Sequence, residues 1–241
     1  MLCVGFIYGL KHATEVDHIV AVSTILSEHQ RLGRAALVGG LWGAGHTASL
    51  IAVGIVVLGL RVAIPESVAS WLELGVALMI IGLGMAAFRS ALRRRATVHI
   101  HRHSHGDRSH AHLHFHEPAD EQATLRTHSH TVTTVGLKPA LVGAMHGLAG
   151  SAALTLLVLT QINSTVLGLI YLGVFGIGSI FGMLLMSSLL GLPFVFSSRR
   201  LGGIHYGVQM LAGALSIAFG LWYAYETGVG AGLFASRALS G

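Results

Sequence analysis

The residues able to do chemistry crowd into one stretch near the start of the chain. Lys11, His12, Glu15, Asp17 and His18 all fall within the otherwise apolar run MLCVGFIYGLKHATEVDHIVAVSTIL. A Lys or Asp at the centre of a membrane helix costs about 2.5–3.5 kcal/mol on insertion scales, so such residues face protein or a water-filled cavity and find partners there. The core of the group is His12-x4-Asp17-His18. Two imidazoles and a carboxylate suit nickel, cobalt, zinc or manganese better than copper(I), which prefers sulfur. The competing reading is a structural ion-pair cluster built around Lys11.

Helical geometry sets a condition on the metal reading. At about 100° per residue, Asp17 lies roughly 140° and His18 roughly 240° around the helix from His12, so one regular helix cannot aim all three at one ion. Either the helix unwinds here or other helices supply ligands. Two candidates stand out in apolar surroundings: His46, in Gly43-Ala-Gly-His46-Thr47, and His146, in Gly143-Ala-Met-His146. The plainer role for each is an interhelical hydrogen bond. Glu15 is one helical turn from both His12 and His18. It either orients an imidazole from behind the ion or neutralises Lys11. Glu28, Glu73 and Glu226 read as charges at span ends with no role in the site.

The elements that must position these residues are membrane helices. Of 241 residues, 53% are hydrophobic and only 10% charged, against about a quarter charged in a soluble domain. Residues 35–60 and 164–198 contain no acid or base at all, and an uncharged apolar run of about 18 residues is long enough to span a bilayer. This composition excludes a soluble helical enzyme and a nucleic-acid-binding protein. The predicted fold is all-α, a polytopic membrane protein with spans at about 2–27, 35–60, 68–90, 138–161, 164–196 and 204–225. The fifth run exceeds one bilayer crossing, so it tilts, kinks near Pro193 or ends in an interfacial piece. Cys3 is the sole cysteine, so neither an internal disulfide nor a Cys-rich metal site is possible.

Residues 91–137 differ in kind. From His99 to His130 they read HIHRHSHGDRSHAHLHFHEPADEQATLRTHSH, with too few large apolar residues to fold alone, so the composition predicts a disordered loop. His99, His101, His103, His105, His110, His112, His114, His116, His128 and His130 form an auxiliary set of metal-binding imidazoles. Such a loop collects, buffers or senses metal rather than selecting it. Arg31, Arg34, Arg89, Arg93, Arg94, Arg95, Lys138, Arg199 and Arg200 flank the spans on the loop's side, against Arg61 and Arg237 on the other. The positive-inside rule therefore places the loop in the cytoplasm and both termini outside a cell (inner) membrane.

The two membrane halves, 1–90 and 138–241, resemble each other. Gly9-Leu-Lys-His12 aligns with Gly143-Ala-Met-His146, Trp42-Gly-Ala-Gly-His46 with Phe175-Gly-Ile-Gly-Ser179, and Gly75 and Gly82 with Gly213 and Gly220. Units of three spans must insert upside down relative to one another, and inverted repeats with a site at their interface recur in transporters.

With these residues in place, Gly-Leu-Lys-His12-Ala-Thr-Glu-Val-Asp17-His18-Ile resembles the His-x4-Asp-His signature of the nickel/cobalt transporter family (NiCoT). The Gly-His46-Thr and Gly-x-x-His146-Gly stretches resemble further segments of that family. The resemblance covers most of both membrane halves. It implies secondary transport of Ni2+ or Co2+ as substrate, with no resident cofactor and with His12, Asp17, His18 and His46 in ion recognition. Unlike uptake members, this chain has no span before the signature helix and carries a large His-rich loop. The compact layout is similar to the efflux branch and to shorter relatives found with urease genes, which leaves direction open and implies a link to a metallochaperone or to urease maturation. A zinc carrier, a nickel-delivering accessory protein and a membrane metalloenzyme are the other readings. The metalloenzyme is disfavoured because only one histidine cluster lies within the spans and there is no His-Glu-x-x-His helix.

Overall fold

The computed structural model describes residues 2–27, 31–96, 98–105, 108–115, 136–162, 164–200 and 202–230. Its elements are α1 (Leu2–His12), α2 (Val16–Leu26), α3 (Leu32–Leu60), α4 (Glu66–Ala96), β1 (Val98–His105), β2 (Arg108–Phe115), α5 (Lys138–Gln161), α6 (Thr165–Arg200), α7 (Gly202–Tyr225) and a closing π-helical turn, Glu226–Gly230. Among the described residues, four stretches are long and apolar enough to cross a membrane: Leu32–Leu60, Glu66–Arg93, Thr165–Ser197 and His205–Gly230. The 24-residue α5 and the α1/α2 pair run beside them. The protein is a polytopic helical membrane protein.

Its surface is apolar, and its interior sets buried polar groups within an apolar core. Large side chains such as Ile55, Leu78, Phe181, Leu189, Leu215 and Trp222 lie exposed, while His18, His46, His146, Ser179, Ser187, Gln209 and Ser216 are buried. In water an apolar face that broad would be covered by a partner or would aggregate; in lipid it is the solvated face.

The first span is broken. α1 and α2 have 11 residues each, about 16 Å at 1.5 Å per residue, or half a bilayer core apiece. At the join, Thr14 N–H donates to the Lys11 carbonyl (2.9 Å) and Glu15 N–H to the His12 carbonyl (3.1 Å), the short-range pattern of a tightened last turn. The Thr14 hydroxyl also donates to the Lys11 carbonyl at 2.7 Å, the local competition by which a hydroxyl side chain weakens a helix. Glu15 is fully extended (φ −65°, ψ 147°) and starts α2. Of the two ways out of the one-helix problem, this is the first.

The fifth span, α6, runs as a single helix through Pro193 for 36 residues, about 54 Å, well past one bilayer core. The His-rich segment departs from the expectation of disorder over part of its length. β1 and β2 pair antiparallel, with His99 opposite His114, His101 opposite His112 and His103 opposite His110. Histidine at every second position is a period-two pattern, and strand pairing keeps that register. His116, His128 and His130 lie outside the described residues.

Packing joins the two halves throughout. α3 lies against both α5 and α6, α1 against α6, and α4 against α7. Glycine permits the closest approaches. A Cβ at Gly143 on α5 would collide with the Trp42 carbonyl oxygen on α3, and one at Gly9 on α1 with the Phe175 carbonyl oxygen on α6. These are the positions matched between halves in the sequence. Gly45 and Gly178 meet Ala140 and Phe6 in the same way. The third matched pair behaves differently. Gly75 and Gly82 meet nothing, whereas Gly213 and Gly220 press on Gly84 and Ala77 of α4.

Candidate metal site in the broken first span

The break in the first span brings together the residues singled out in the sequence. His12 ends α1, Asp17 and His18 sit in the first turn of α2, His46 comes from the middle of α3 and His146 from the first half of α5. His18, His46 and His146 are buried. The imidazoles converge: ring centroids are 4.5 Å apart for His12 and His18, 5.0 Å for His12 and His46, and 4.1 Å for His18 and His146. The second way out of the one-helix problem, ligands from other helices, is therefore also taken.

Asp17 organises the inner side. Its Oδ1 accepts from the His18 backbone N–H at 2.9 Å and lies 3.1 Å from His18 Nδ1, while its Oδ2 lies 2.8 Å from His146 Nε2. A carboxylate at a helix N-terminus also meets the positive end of the helix dipole. On the outer side, His12 Nδ1 is 3.0 Å from Glu15 Oε1, so Glu15 pairs with an imidazole. When Nδ1–H donates to a carboxylate, the neutral ring presents a bare lone pair at Nε2, the arrangement that orients metal-binding histidines. His12 Nε2 faces His46 Nε2 at 3.2 Å, and His18 Nε2 is buried with no hydrogen-bond partner among the described residues.

Two overlapping ligand sets result. His12, His18 and His46 form one, and Asp17, His18 and His146 the other; within each set, one ligand atom per residue lies within 4.8 Å of the others. His18 belongs to both. Nitrogen with a single carboxylate is a donor set for a borderline divalent metal.

The cluster closes the inner end of a cavity of about 440 Å3 that Lys11, His12, Glu15, Asp17, His46 and His146 line together with Glu73, Tyr171, Phe175 and Tyr223. Glu73, Tyr171 and Tyr223 lie within about two turns of Glu66, Thr165 and Tyr225, the ends of α4, α6 and α7 next to the 61–65 and 162–164 turns. The cavity therefore reaches in from that face, the turn face, opposite the loop face where α4 ends and α5 begins. Glu73, expected at a span end, lines the same cavity as Asp17. Its signal in the sequence was a carboxylate within an apolar helix, which by default marks function. Trp42, which stacks against His18, and Tyr223, which lines the cavity, were not singled out for the site, and nothing in their sequence context separates them from ordinary packing residues. The side chains of the loop histidines lie outside the described residues.

No protein-family profile matches the chain, and no solved structure does. The chain is 35% identical to the urease accessory protein UreH of Bacillus sp. (strain TB-90), over 97% of this chain and 94% of that one. Of the two branches named by the resemblance, the urease-associated one fits this relative. The chain belongs to the UreH family of urease accessory proteins, among the compact relatives of the nickel/cobalt transporters.

Proposed function

We propose that the chain is a secondary transporter that carries Ni2+, and less selectively Co2+, across the membrane by alternating access. The observation that carries this reading is the convergence of His12, Asp17, His18, His46 and His146 at a helix break halfway along the first span, at the bottom of a cavity open to one face. Broken helices at an ion site between packed repeats are a transporter architecture. The ion enters past Glu73 and Glu15, loses water, and is taken by the Nε2 lone pairs of His12 and His46, then by His18 and Asp17. His146, paired with Asp17, completes the second ligand set.

The kinship with a urease accessory protein favours nickel, the metal of urease, and import as the direction. With the loop face cytoplasmic, the cavity opens outside. The His-rich segment then lies where arriving metal is handed on, and a metallochaperone or the urease-maturation machinery is its natural partner. The test is uptake of radioactive nickel into proteoliposomes holding the purified chain. Flux is expected in the unaltered chain and absent in His12→Ala and His46→Ala. Metal binding without flux would instead mark a delivery protein, and preferential carriage of Zn2+ would reject the ion assignment.

A further inference from the structure

His18 does not line the cavity that holds the rest of the cluster. His18 lines a second, much smaller void of about 10 Å3 on the other side, together with Val22, Trp42, Met183, Met186 and Ser187. Its ring thus stands between the two spaces. From His18, α2 continues through Val22 towards Leu26, and from Met183, α6 continues through Ser187 towards Arg200. The void therefore extends from the cluster towards the loop face.

Three residues of this void carry buried polar atoms with no hydrogen-bond partner among the described residues: His18 Nε2, Trp42 Nε1 and Ser187 Oγ. Ser187 is 0% exposed and Trp42 1%. Native interiors rarely leave such groups unpaired, and each instance calls for an explanation. Trp42 also stacks against His18, with centroids 6.2 Å apart and planes 27° from parallel. Beside the void the backbone of Gly39 on α3 is pressed directly against Ser187, where any Cβ would collide.

We propose that this void is the closed inner half of the ion's route, and that Ser187 is a transient ligand on it. The inference rests on the transport reading above. The His18 ring turns from the cluster into the void, the Ser187 hydroxyl oxygen takes a place on the ion as the cluster lets go, and α6 moves away from α3 at the Gly39–Ser187 contact to open the way. Trp42 is the door, and the flexible side chains of Met183 and Met186 form an apolar seal that repacks readily. The unpaired atoms are polar groups held within the walls of a passage that is shut in this conformation, and in this state none of them faces the void.

Ser187→Leu overfills the water-sized void and blocks the route at a residue outside the cluster. In proteoliposomes it is expected to lower Ni2+ flux at least tenfold, while calorimetry with NiCl2 gives an unchanged Kd. Ser187→Ala, which leaves the packing intact, is expected to slow flux several-fold, again with unchanged Kd. With Cys3→Ser as background, Ser187→Cys is expected to react with a membrane-impermeant thiol reagent only from the loop face, and faster during Ni2+ turnover. Wild-type flux in both Ser187→Leu and Ser187→Ala, or labelling from the turn face, would overturn the route. An unaltered chain that binds Ni2+ but does not carry it would overturn the transport reading and the route with it. Loss of flux in His12→Ala with loss of binding, beside loss of flux in Ser187→Leu with binding kept, separates the site from its exit.

Discussion

At the residue scale, the site is a set of imidazoles whose orientations are fixed by carboxylates. Asp17 holds His18 and His146, and Glu15 holds His12. Partners of this kind set the tautomer and raise ligand basicity, and their loss costs about 10–100-fold in metal affinity. Glu15→Gln is therefore expected to weaken Ni2+ binding by about tenfold or more in titration calorimetry, while Lys11→Met leaves it within a factor of about two, since Glu15 pairs with His12. Equal losses in the two variants would return Glu15 to the role of counter-ion for Lys11. Protons compete with a metal for the imidazole nitrogens. Ni2+ binding is therefore expected to weaken in acid, and a Kd in titration calorimetry that stays constant as the buffer is taken down to about pH 4 would argue against imidazole ligands.

At the element scale, function depends on a helix that stops and on helices that touch. Contacts between backbones at Gly143 and Trp42 leave no room for a side chain. Gly143→Val is expected to destabilise the protein by about 1–3 kcal/mol, as overpacking does. Gly75→Val, at a position with open space around it, is expected to stay within about 0.5 kcal/mol; thermal unfolding in detergent compares the two. This contrast marks how far the sequence could be read. The spans, the His12-x4-Asp17-His18 group and the distant His46 and His146 were legible because charge and imidazole are conspicuous in apolar helices. The matching of Gly9 with Gly143 and of Trp42 with Phe175 was legible because close contacts there fix the residue type. The pairing of Gly75 and Gly82 with Gly213 and Gly220 was not a contact equivalence, since glycine is common in membrane helices with or without a close neighbour. The break at Thr14-Glu15 carries neither Pro nor Gly; what ends the helix is hydroxyl competition and the grouping of charge, which no local pattern announces. The His-rich segment shows the converse: its composition argued against order, yet its strict alternation suits a paired ribbon from Val98 to Phe115.

At the scale of the whole molecule, the chain is two sets of helices gripping one another around the broken first span. α3 is held between α5 and α6, α1 lies on α6, and α4 on α7, and the converging side chains come from both halves: His12, Asp17, His18 and His46 from the first, His146 from the second. An ion bound between them ties the halves together, and anything that binds the folded state alone stabilises it by RT ln(1 + [L]/Kd), about 2.7 kcal/mol at a hundredfold excess over Kd. Ni2+ at that excess is therefore expected to raise the melting temperature of the purified chain by several degrees. Mg2+, which seeks oxygen ligands and keeps its water, is expected to leave it unchanged. The rise should vanish in His46→Ala, and it should persist when residues 98–130 are deleted, because His12, Asp17, His18, His46 and His146 converge within the helices. A shift abolished by that deletion but kept in His46→Ala would move the principal metal site out of the membrane and into the His-rich segment.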